Sequence, residues 1–156
     1  MEDAVRAERL RILLGLEIHR VTDDLLRRRT LLVELWGRHR VRTPFLDTTF
    51  QRYRSLSMGE LLSLERQELE PIEAFYRELD DLRFYLGHTE DMPRALAVSM
   101  DGALVRLRGV ARVALSALGT RLEEAGRAPG PWSLVSTDFD DAAELGGVGF
   151  GAGFEE

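Results

Sequence analysis

Apolar residues in the first part of the chain recur at alternating intervals of four and three: Leu14, Ile18, Val21, Leu25, Leu32 and Leu35, with Arg28 in the one vacant place. That alternation returns each time to the same side of a helix. One long helix is predicted from about Asp3 to Arg40. Gly37 and then Thr43-Pro44 end it, because the residue before a proline is pushed out of helical geometry. A connector through Phe45, Asp47, Phe50 and Tyr53 follows, with Asp47 as the cap of one short helical turn. Ser57-Met58-Gly59-Glu60 then has the spacing of a capping box, in which serine and glutamate each satisfy an exposed backbone N–H. A second helix is predicted from there to Leu86, with a seam at Leu62, Leu69, Ile72, Tyr76, Leu79 and Leu86. Pro71 removes one backbone hydrogen bond and predicts a kink near Glu68. Gly87-His88-Thr89 reads as a stop, and Pro93 as the first turn of a third helix that Gly126 closes.

The third helix carries two apolar faces. Leu96, Met100, Ala103, Leu107, Ala111, Ala114 and Leu118 make one; Val98, Gly102, Val105, Gly109, Val113 and Ala117 make the other. Arg94, Asp101, Arg108 and Arg112 form a narrow charged stripe beside them. Two neighbouring helices can cover the first face but not both. The second is expected to be a surface for self-association or for a protein partner, unless the connector or the end of the chain folds over it. Gly102 and Gly109 lie on it two turns apart, and glycine inside a helix costs about 1 kcal/mol, which a close approach of two backbones would justify.

The resulting expectation is an all-α protein. Residues 1–126 form three long helices in an antiparallel, coiled-coil-like bundle with a short helical connector, and residues 127–156 form an irregular, glycine-rich tail. Charge sharpens the pairing. Residues 1–43 carry ten arginines against seven acids, and residues 44–91 five against eleven, so the first two helices attract. A hairpin between them would bring Arg28 near Glu68 or Glu70, and Arg83 near Glu17.

Composition mostly excludes. The net charge of −6 and the pI near 5.2 argue against a dedicated duplex-binding protein, which needs a basic excess to displace counterions. With no cysteine there is no thiol catalysis and no thiolate metal site; with no lysine there is no Schiff base and no phosphate-loop lysine. The N-terminus opens on acids and breaks its apolar run with Arg11 and Glu17, unlike a secretory signal, and no apolar stretch is long enough to span a bilayer. A cytoplasmic protein is expected. No Glu-x-x-His pair, serine elbow or glycine-rich phosphate loop is present, and the adjacent acid pairs point about 100° apart on a helix, so they do not converge. No catalytic residue, metal ligand or cofactor is expected. His19 with Asp23 is the nearest approach to a metal site, and it supports a helical-bundle metalloenzyme only as an alternative.

Two further features suit partners. Arg27, Arg28, Arg29, Arg38, Arg40 and Arg42 concentrate positive charge and define a second alternative, a helical protein that binds nucleic acid or another anion. In the tail, Trp132, Phe139, Phe150 and Phe154 stand among glycines and six acids, a pattern that fits a peptide laying aromatic anchors on another surface. Within it Glu144 to Phe150, "ELGGVGF", resembles the glycine-rich C-terminal peptides that load cargo into encapsulin shells; the resemblance stops at those residues, and the helical body lacks the metal motif of the ferritin-like cargos. The function expected is that of a non-enzymatic structural or adaptor protein, self-associating through its third helix and engaging a partner or a neighbouring subunit with its tail.

Overall fold

The structure, a computed structural model, describes residues 1–89 and 92–124, and these form helices joined by turns. In chain order they are α1 (Glu2–His39), α2 (Thr43–Thr48), a 3₁₀ turn at Tyr53–Ser55, α3 (Met58–Leu61), α4 (Arg66–His88) and α5 (Pro93–Glu124). Among the described residues no helix is long and apolar enough to cross a membrane. Trp132, Phe139, Phe150 and Phe154 lie outside the described residues, as does the rest of the tail.

The seams become the core. Leu14, Ile18, Val21, Leu25 and Leu32 of α1, Ile72, Tyr76, Leu79 and Leu86 of α4, and the whole leucine face of α5 from Leu96 to Leu118 are buried in one cluster. Each fully buried aliphatic side chain contributes about 1.5–3 kcal/mol over its exposed state, which is what holds three otherwise independent helices together. α5 packs closely on both α1 and α4.

Chain direction departs from the expected hairpin. Arg11 pairs with Glu68, and Tyr76 donates to Glu17, so residue numbers rise together along α1 and α4 and the two helices run parallel. Arg29 pairs with Asp101, Arg106 with Glu78, and Arg121 with Glu65, so α5 runs against both. The reason is the connector. Rather than turning at once, residues 43–65 travel back along α1: Arg28 donates to Thr48 Oγ1 at 3.3 Å, Arg20 to the Phe50 carbonyl at 3.2 Å, and the backbone N–H of Arg52 to Glu17 at 2.8 Å. The expected pairs are accordingly replaced. Glu68 is held by Arg11, Glu70 by Arg66, and Arg83 donates to the Thr49 carbonyl.

The second predicted helix is also divided. The capping box forms, with Glu60 N–H donating to Ser57 Oγ and Ser57 N–H to Glu60, yet it caps only the single turn α3. The chain breaks at Leu62–Glu65, buries Leu64, and restarts at Arg66, where the Glu65 N–H donates to the Glu68 carboxylate at 2.9 Å. Leu62, placed on the seam by spacing, is 72% exposed as a result. Asp47 lies in the last turn of α2 rather than at its start.

At the far end α1 closes on Arg40, the one non-glycine residue among those described with a positive φ, at 56°. Arg42 stacks 4.2 Å from the Trp36 ring centroid and donates to the carbonyls of Gly87 and Thr89, tying the end of α1 to the end of α4.

Candidate functional site

Burial of the leucine face of α5 turns its opposite side outward. Val98, Val105 and Val113 are 69%, 64% and 59% exposed, and Gly109 is exposed between them, with Gly102 and Ala117 half-buried at the edges. A Cβ built on Gly109 would meet nothing within 4 Å, and one on Gly102 would meet only the Arg106 side chain at 3.5 Å. Neither glycine is required by packing among the described residues. The connector does not cover this face either: Phe45 is buried in the core, and Tyr53 stacks on Tyr76 with ring centroids 4.0 Å apart. Beside the valine row an open groove of about 380 Å³ runs between α4 and α5, where Val98 and Gly102 face Tyr85 and Asp81.

The arginine cluster is distributed rather than convergent. Successive residues on a helix point about 100° apart. Arg27 therefore pairs with Asp23 and Asp24 on its own helix, Arg28 reaches Thr48, and Arg29 reaches Asp101 across to α5. Arg38 lies 3.7 Å from Glu34, while Arg40 and Arg42 lie over Trp36. The nearby Asp23 carboxylate, and then that of Asp24, raise the Arg27 guanidinium above its ordinary value.

A second concave surface has no signature in the sequence. It is an open groove of about 460 Å³ between α1 and the returning connector, floored by Leu10 and Leu14, walled by Leu13, Leu16, Tyr53 and Leu56, and flanked by Arg20 and Arg52. Leu13 and Leu16 are 60% and 43% exposed. Their position off the seam marks them only as surface leucines, and the wall that makes them part of a groove comes from residues about forty positions later in the chain. The groove is anchored by Glu17, which is buried and accepts from the N–H groups of Arg52 and Tyr53 at 2.8 and 3.3 Å and from the Tyr76 hydroxyl at 2.7 Å. Burial first, then the Glu17 carboxylate, pushes the Tyr76 hydroxyl far above its ordinary value. Tyr53 moves the same way, through burial and its bond to Glu73.

Among the described residues no three His, Cys, Asp or Glu side chains come together in a group that could hold a metal ion. His19 is half-buried on α1, and Asp23, one turn on, is engaged by Arg27. The geometry therefore presents two kinds of surface, an outward valine row on α5 and a leucine groove on α1. No protein-family model, no curated protein and no solved structure matches the chain.

Proposed function

We propose that the protein is a non-enzymatic adaptor that presents the outward face of α5 to another protein, a second copy of the chain being the first candidate, and carries its C-terminal segment as a peptide arm. The observation that carries this reading is the exposed row Val98, Val105 and Val113 flanking two glycines, Gly109 with open space above it and Gly102 met only by the Arg106 side chain. An apolar helix face whose glycines have no packing use among the described residues is suited to close backbone approach by a second helix. The dispersal of Arg27 to Arg42 over several different neighbours favours a structural role for those arginines over a phosphate grip.

The test is the absolute mass in solution, by light scattering after size exclusion, of the full chain and of Gly102→Leu and Val105→Arg. Both substitutions fall on the outward face and leave the core intact. The expected result is an oligomer that both variants reduce to a monomer of unchanged helicity. A monomer in all three sinks self-association and leaves a different protein as the partner of α5.

A further inference from the structure

The leucine groove of α1 has a lining of definite chemistry. Arg9, Leu13, Leu16 and Arg20 fall within one narrow stripe of α1, because their spacings of four, three and four return to nearly the same angle. Two exposed leucines are thus bracketed by a cation at either end, and Arg52 of the connector adds a third on the facing wall. The one acid lining the groove, Glu17, is buried and already accepts three hydrogen bonds, so its oxygens are turned inward. A ligand for this surface needs an apolar centre flanked by negative charge.

The chain itself contains such a segment. Asp138-Phe139-Asp140-Asp141 places one aromatic ring between acids, and residues 127–156 carry six acids against one arginine. Its point of departure is favourable. Arg121, in the last turn of α5, pairs with Glu65, and Arg11 pairs with the neighbouring Glu68, so α5 ends at the pole of the molecule where the groove begins at Leu10. Residues 125–137 can span up to roughly 43 Å when extended, several times the roughly 10 Å diameter of the helix they must cross. We infer that the groove between α1 and the connector seats the chain's own C-terminal segment, with Phe139 on Leu13 and Leu16 and the flanking aspartates facing Arg9, Arg20 and Arg52. This deepens the reading of that segment as a peptide arm by naming its receiver, and it does not depend on what α5 contacts.

The chain has no cysteine, so spin labels can be placed at two chosen positions only. The full-length Ala4→Cys/Ala142→Cys protein puts one label on the exposed first turn of α1, outside the groove, and the other beside Asp141. The expected result is a narrow, short inter-label distance that survives dilution with excess unlabelled protein and is lost in Leu13→Glu and in Phe139→Ala. Leu13 is 60% exposed, so its substitution spares the core, and circular dichroism checks that it does. A broad distribution that neither substitution alters overturns the proposal. So does a short distance that disappears on dilution, which would place the arm on a neighbouring molecule. Mass and label distance are separate readouts, so a failed α5 contact and an empty groove are told apart.

Discussion

Glu68 shows how much one residue decides. Its carboxylate is 1% exposed, takes Arg11 in a two-pronged pair at 2.6 and 3.0 Å, and also receives the N–H that starts α4. Its bond lifts the Arg11 guanidinium above its ordinary range. Breaking a buried pair from one side leaves an uncompensated charge, so Arg11→Met is expected to cost about 3 kcal/mol in denaturant unfolding, with most of it recovered in Arg11→Met/Glu68→Leu. Tyr76 sets a pH limit. Its hydroxyl keeps its proton in the folded chain well past the value at which an unfolded tyrosine loses it, near 10. Stability is thus fully present below pH 10 and falls above it by about 1.4 kcal/mol per pH unit from this group, because the unfolded state then binds fewer protons. Tyr76→Phe should flatten that fall; Tyr53, more open to solvent, adds a smaller share. Glycine tells the opposite story at Gly109. With open space above it, Gly109→Ala should raise stability by about 0.5–1 kcal/mol in thermal unfolding. None of these pairings was legible in the sequence, since Arg11 and Glu68 share no local spacing and meet only through the fold.

Elements were legible in proportion to how regular their periodicity is. α5 was read almost whole, because every residue of its leucine face is buried and every valine of its other face is exposed. That division predicts a sharp contrast: Leu107→Ala should cost roughly 3–5 kcal/mol, whereas Val105→Ala should change stability by less than about 0.5 kcal/mol. The run from Ser57 to Leu86 carries the pattern of one helix because the second start signal, Glu65 with Glu68, lacks the serine, threonine or asparagine that usually announces a cap. Leu64 entering the core decides the break, and no local pattern distinguishes it from Leu62. The leucine groove was invisible for a related reason. Its two walls come from α1 and from a connector whose path a periodicity cannot give.

At the scale of the whole molecule, charge identified which helices attract but not their direction, since Arg11 with Glu68 satisfies the attraction in a parallel pair as well as a hairpin would. Most of the remaining ion pairs are exposed, and such pairs contribute about 0–1 kcal/mol each, so added salt should shift the unfolding midpoint only slightly. The returning connector has a further consequence, for the order of assembly. α4 and α5 are consecutive long helices only four residues apart in the chain and can meet as neighbours, while α1 reaches α4 only after the strut from 43 to 65 has been laid along it. Contacts across long stretches of chain form late, because loop closure must precede their reward. Leu79→Ala in α4 should therefore slow refolding in stopped-flow mixing, whereas Leu14→Ala in α1 should mainly hasten unfolding. The strut that makes two helices parallel is thus expected also to make α1 the last of the three long helices to dock.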